Sequence, residues 1–189
     1  MTAALSEVPP YGGWTTDDLA NLPEDGVRRE LLDGVLHVSP SPSKVHQVIA
    51  ARLMVALEQT CPSHLFVSQA NDVQVSSRRL FIPDVLVSTF EAAMRPDGKF
   101  GSDEVVLAVE IVSPSSQSMD RVMKPALYAK AGIPFFWLVE TEGGLSVQTY
   151  RLEPDEEVYQ PSGTFTDEIR LDQPWEIKIP IASLRPRNM

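Results

Sequence analysis

Two carboxylates stand where an unneutralised charge is most expensive. Glu110 follows five apolar residues, Val105-Val106-Leu107-Ala108-Val109, and precedes Ile111-Val112. Asp84 lies between Phe81-Ile82-Pro83 and Val85-Leu86-Val87. A carboxylate inside such a strand is heavily penalised by desolvation unless a cation or a hydrogen-bond donor meets it. Two acids on adjoining buried strands are good oxygen ligands for a hard cation such as Mg²⁺ or Mn²⁺. A cation held there can activate water and offset charge on a phosphate undergoing in-line displacement. The competing readings are a turn cap for Asp84, and for Glu110 an ion pair with a buried Arg or Lys.

These acids need elements to carry them. Val105–Val112 is a continuous, mostly β-branched run, as expected of a central strand buried on both faces. Leu65–Ser68, Asp72–Val75 and Asp84–Val87 read as further strands. Arg29–Val38 reads as two short strands hinged at Asp33-Gly34, a strong hairpin signal. Thr15 caps a short helix that Pro23 stops. Val45, Val48, Ile49, Leu53, Ala56 and Leu57 recur at helical spacing and define an amphipathic helix ending before Pro62. Gly98–Asp103 reads as a loop. A second helix runs to about Ala131 and stops at Gly132, and Phe135–Glu140 and Leu145–Arg151 are strands around Glu142-Gly143-Gly144. The rest, through Pro180, resembles a short antiparallel extension. The order β-β-α-β-β-β-β-α-β-β gives an α/β class with a mixed sheet flanked by helices. Residues 1–13, rich in Pro and small side chains, form a mobile lead, and 14–189 a single domain.

Composition narrows the function. At 189 residues with 43% apolar side chains, the chain can bury a substantial core. A lone cysteine, Cys61, excludes an intrachain disulfide framework and fits a reducing cytoplasm. No basic n-region opens the chain, and no segment approaches the roughly 20 apolar residues a membrane helix needs, so a soluble cytoplasmic protein is expected. The net charge is −10, but it is peripheral. Residues 1–27 carry five acids and no Lys or Arg, and 136–189 carry ten acids against five bases, whereas 28–135 hold eleven of each. No basic stripe of an autonomous DNA binder is present. His37, His46 and His64 lack zinc-site spacing, no serine lies in G-x-S-x-G, and P-loop and dinucleotide fingerprints are absent.

The segments Glu30-Leu31-Leu32-Asp33-Gly34, Ser39-Pro40-Ser41-Pro42 with His46, Pro83-Asp84-Val85 and Val109–Ser116 resemble successive motifs of the Uma2 (DUF820) family. Asp120, Lys124, Tyr128-Ala129, Ala131–Pro134 and Phe136–Val139 continue the match in order, from about Trp14 to Arg151. This family is a bacterial branch of the PD-(D/E)XK nuclease-like superfamily. The resemblance implies a restriction-endonuclease-like core and a Mg²⁺- or Mn²⁺-dependent phosphodiesterase acting on nucleic acid, DNA first. It implies that Asp84 is the PD acid and Glu110 the second acid. The motif lysine, due at position 112 where Val112 stands, has moved to Lys124, and Glu30 is a further ligand or orienting acid.

Two positions depart from the pattern. Ile82 replaces a basic residue, and Pro125 directly follows Lys124, so the helix must begin near Val122 or bend there. The plainer readings are a solvated lysine at Lys124, an exposed hairpin residue at Glu30 and an ordinary helix residue at His46. Ser113, Ser115 and Ser116 read as loop and capping residues, and Asp120 as a cap or a partner for Lys124 or Arg121. The alternative function is a catalytically inactive, homo-oligomeric binding module. Phe135, Phe136, Trp137 and Trp175 offer aromatic surface for a dimer that could assemble a channel one acidic subunit lacks.

Overall fold

The hairpin signal is realised at Asp33-Gly34, where both residues take positive φ, 50° and 84°. That is the twist a two-residue turn needs to join β1 (Arg28–Leu32) to β2 (Val35–Ser39). The register pairs Glu30 with His37 and Arg28 with Ser39. In this computed structural model the described residues are 11–23, 25–96 and 98–187, so the first ten positions of the expected lead lie outside them.

Helix α1 (Thr16–Ala20) begins at a reciprocal capping box between Thr15 and Asp18. Helix α2 (Lys44–Glu58) is capped by Ser43, whose hydroxyl accepts the His46 N–H. It buries His46, Ile49, Ala50, Leu53 and Leu57. Val45 and Val48, expected on the core stripe, are exposed; the buried stripe lies one position over and runs through His46 instead.

The remaining strands are β3 (Leu65–Gln69), β4 (Asp72–Ser76), β5 (Arg79–Phe81), β6 (Val85–Thr89), β7 (Lys99–Gly101), β8 (Val105–Ile111), β9 (Phe135–Glu140), β10 (Ser146–Arg151), β11 (Gln160–Phe165), β12 (Glu168–Leu171) and β13 (Ile177–Pro180). Three short helices complete the set: α3 (Phe90–Ala93), α4 (Lys124–Lys130) and α5 (Ile181–Leu184). The mixed sheet has six strands in the order β11-β10-β9-β8-β6-β3, with β8 and β9 parallel. A second sheet, β2-β1-β5-β4-β7, and the β12-β13 hairpin accompany it. Part of the expected loop at 98–103 is β7, which pairs in parallel with β4. That pairing is tertiary, so no local pattern announces it.

Alternation along β8 divides the core. Leu107, Val109 and Ile111 join a cluster with α2, the β12-β13 hairpin and α5. Ala108 and Val112 join another with Leu86, Phe136, Tyr128 of α4, and Val73, Phe81 and Phe100 of the second sheet. Each large aliphatic buried this way contributes about 1.5–3 kcal/mol. Phe136, Trp137 and Trp175 are all buried within the chain, so the aromatic surface expected at a subunit contact is largely consumed by its own core. Among the described residues no helix is long and apolar enough to cross a membrane.

Pro125 has a visible effect. Residues Met119–Met123 form a π-helical turn in which the Lys124 N–H donates to the Met119 carbonyl five residues back, and α4 follows with the proline in its first turn. The proline ring would crowd the carbonyl four residues earlier in a regular helix, and the wider turn relieves that conflict. The bend expected near Val122 is this turn.

Candidate active site

Asp84 lies one residue ahead of β6, where its N–H donates to the Val109 carbonyl at 3.0 Å. Its side chain is held on both oxygens. Oδ2 accepts the Ile111 N–H at 2.8 Å and His46 Nε2 at 3.0 Å, and Oδ1 accepts Arg28 Nη1 at 2.9 Å. Burial pushes this carboxyl up, but the His46 contact and the charges of Arg28 and Lys124 outweigh it and bring it to about 2. An ionised Asp84 only accepts, so His46 carries its hydrogen on Nε2. The other ring nitrogen, Nδ1, is buried without a partner.

Glu110, 1% exposed, lies one residue from the end of β8 and points toward α4. Its Oε1 accepts both the Lys124 ammonium at 3.0 Å and the Tyr128 hydroxyl at 2.6 Å. Glu30 approaches from β1: its Oε1 accepts the Ile82 N–H at 2.9 Å and lies 2.9 Å from Lys124 Nζ. Asp120, on the π turn, accepts the Ser116 hydroxyl and keeps Oδ1 3.9 Å from the same ammonium. Ser113 bonds Ser116 and Ser115 in the loop after β8. Arg121 turns outward to Glu140 instead of Asp120. Arg28 and Glu30 share one face of β1 and together clamp the Ile82 backbone, since Arg28 Nη2 donates to the Ile82 carbonyl.

One ammonium thus faces three carboxyls. Burial alone would strip the Lys124 proton, yet the charges of Glu110, Glu30 and Asp120 raise its pKa above the usual 10.5. The same count leaves the acids short of positive charge. Burial raises Glu110 to about 8, opposed by Lys124 and reinforced by Asp84, Asp120 and Glu30, and burial likewise raises Asp120. Lys124 stays charged, and Glu110, although it accepts the ammonium, is pushed toward its protonated form. Burial carries the Tyr128 hydroxyl well above its ordinary range, so it stays protonated and donates to Glu110.

All four acids line one cleft of about 400 Å³, with Arg28, His46 and Lys124, beneath the loops Ser39–Ser43 and Ser113–Ser116. Oε2 of Glu30 and Oε2 of Glu110 accept no hydrogen bond from a described residue, and Asp84 Oδ1 accepts only one. Four carboxyls face the two cations Arg28 and Lys124, an excess of acid groups that a divalent ion would balance. Among the described residues no three His, Cys, Asp or Glu side chains form a ready-made metal cage. That donor set suits Mg²⁺, which is bound through one or two carboxylates and keeps waters, and it does not suit a closed all-protein site.

All four residues singled out in the sequence, Asp84, Glu110, Lys124 and Glu30, meet in this cleft. Three others belong with them. Tyr128 falls four residues after Lys124 on the same helix face, Arg28 two residues before Glu30 on the same strand face, and His46 on the buried stripe of α2.

Residues 16–182 match the family model Uma2, described as "Putative restriction endonuclease". The chain belongs to the Uma2 family. No curated protein matches the sequence. The fold of this Uma2 chain is similar to the crystal structure of a protein from Anabaena variabilis described as "a putative nuclease belonging to DUF820", with a TM-score of 0.70 and 18% identity over 90% of this chain and 96% of that one. That likeness supports the mixed α/β fold of the Uma2 chain.

Proposed function

We propose that this Uma2 protein is a metal-dependent DNA endonuclease that hydrolyses phosphodiester bonds, with Mg²⁺ or Mn²⁺ held by Asp84 and Glu110. The observation that carries the reading is the convergence of Asp84, Glu110 and Lys124, from three separate elements, in one buried cleft with more carboxyls than cations. A divalent ion there supplies positive charge to the phosphate and lowers the pKa of a bound water. Lys124, which keeps its proton, acts as a donor that orients the attacking water and offsets charge on the phosphate; it is not the base. Glu30 is a positioning residue: it pins the ammonium against the Ile82 backbone. Tyr128 fixes the Glu110 carboxyl from the other side. We include pairing of two copies in the proposal because a chain of net charge −10 offers no basic channel by itself. Light scattering at twice the chain mass is the expected result.

The test is cleavage of supercoiled plasmid in Mg²⁺ and Mn²⁺ by the wild type, Asp84→Ala and Glu110→Ala, with folding checked by circular dichroism. Cleavage by the wild type alone, and silence without metal, is expected. Activity that survives both substitutions would sink the assignment. A folded, metal-binding wild type that cleaves nothing would favour the inactive binding module.

A further inference from the structure

The two cations of the cleft are not equivalent. Lys124 is sealed in, with a side chain 4% exposed and its donors directed at Glu30 and Glu110. Arg28, at the start of β1, keeps 21% of its side chain exposed beside an Asp84 that keeps 6%. Its guanidinium carries five N–H hydrogens, of which one on Nη1 goes to Asp84 Oδ1 and one on Nη2 to the Ile82 carbonyl. Each terminal nitrogen therefore holds a second hydrogen that no described residue accepts. Arg28 also rests on the Asp84 oxygen with a lone pair to spare, because Oδ2 is filled by His46 and the Ile111 N–H. Any cation drawn to Asp84 competes with Arg28 for that oxygen. Glu110 and Glu30 act on the Arg28 charge as well as Asp84, so the guanidinium does not depend on Asp84 alone for its charge balance.

We propose that Arg28 is the phosphate-binding residue of the site: it is parked on Asp84 in the free protein and turns its planar fork onto the non-bridging oxygens of the substrate phosphate when Asp84 is engaged. This rests on the phosphodiesterase reading of the cleft. The fork matches two phosphate oxygens at once, which a lysine cannot do. It also supplies, from β1, a cation next to the Pro83-Asp84 pair, where Ile82 brings none. A residue that merely held Asp84 in place would behave oppositely on removal. Losing a clamp weakens metal binding, whereas losing a competing positive charge leaves metal binding intact or tightens it.

The experiment compares wild type, Arg28→Gln and Arg28→Lys, each checked for folding. Mn²⁺ affinity without nucleic acid is read from the electron paramagnetic resonance signal of free Mn²⁺. Affinity for a short labelled DNA oligonucleotide is read by fluorescence anisotropy in Ca²⁺, and single-turnover cleavage in Mg²⁺. For Arg28→Gln, Mn²⁺ is expected to bind as tightly as in the wild type or several-fold tighter. Its oligonucleotide affinity is expected to fall about tenfold to a hundredfold, the range of a charge-assisted hydrogen-bond pair. Its cleavage is expected to fall about 10²–10³-fold and to recover in part with added guanidinium ion. Arg28→Lys should lie between the two on oligonucleotide affinity with Mn²⁺ binding unchanged, which keeps the test decisive if Arg28→Gln does not fold. Mn²⁺ affinity falling in step with oligonucleotide affinity, or oligonucleotide affinity unmoved, would overturn the proposal. The two binding measurements need no turnover. A wild type that binds both probes and never cleaves would therefore remove the nuclease reading while leaving the Arg28 result standing.

Discussion

The two faces of the six-stranded sheet do opposite things with the same strand. Toward α2 and the C-terminal hairpin, β8 presents Leu107, Val109 and Ile111 to a face lined by Val85, Val87, Trp137 and Val139. Toward α4 it presents Ala108 and Val112, with Glu110 between them, against Leu86, Phe136 and Tyr128. One face is dry and close-packed; the other accepts a carboxyl one residue from the strand's end. The comparison shows how a small protein keeps an ionic cluster inside. Net stability comes from the apolar face, while the charged face costs desolvation that Lys124, Arg28 and the donors His46, Tyr128 and the Ile82 and Ile111 N–H groups offset.

The largest separation of the two faces should come from Glu110→Gln. Cleavage is expected to fall at least about 10³-fold. The metal-free protein should be as stable as the wild type, and more stable above about pH 8, where the amide replaces a charge that Lys124 alone does not balance. Plasmid cleavage beside a thermal melt checks both halves, and a large drop in melting temperature would mean that Glu110 supports the fold.

Next come two substitutions of similar size and different origin. Lys124→Met strands Glu30 and Glu110 without their shared cation and should cost about 3–5 kcal/mol in urea unfolding. Trp137→Ala on the dry face opens a cavity and should cost about as much, 3–5 kcal/mol. The pH separates them: acid should shrink the Lys124→Met deficit as the carboxyls take up protons, and should leave that of Trp137→Ala unchanged.

The charged face should also tilt the pH–stability curve. Glu110 titrates near 8 in the folded metal-free protein and near 4.5 unfolded, so the native state binds more protons between those values. Stability should therefore decline as pH rises from about 4.5 to about 8, and Mg²⁺ should reduce the decline. Asp84 acts the other way: its contribution is present above 3.8 and is lost as pH falls toward about 2. Chemical denaturation across that range, with Glu110→Gln as the reference, measures the slope. The smallest effect belongs to neither face. Thr15→Ala removes the α1 cap and should cost about 1 kcal/mol without altering cleavage, as paired melts and plasmid assays can verify.

What the sequence made legible follows from the range of each signal. Asp84 and Glu110 were visible because an acid inside an apolar run is locally anomalous. The hairpin, α2, β9 and β10 were visible because turn chemistry and periodicity are local as well. Arg28 was not, since an arginine opening a hairpin strand looks solvated until its partner, 56 residues away, is placed beside it. His46 is only half legible: the motif with Ser39–Pro42 includes it, while the valines at 45 and 48 mark a helical stripe that passes it by. The three-residue strands β5 and β7 depend on neighbours distant in sequence and carry too few residues to show a pattern.

The lysine's place on α4 rather than on β8 has a consequence for assembly. A lysine two residues beyond Glu110 would share the strand with it, so acid and ammonium would be carried by one element. Here the ammonium travels on a separate piece of chain, behind a π turn, and meets Glu30 and Glu110 only when α4 docks. Competence of the cleft is thereby tied to the docking of α4: a chain in which α4 has not packed carries the acids without their shared cation.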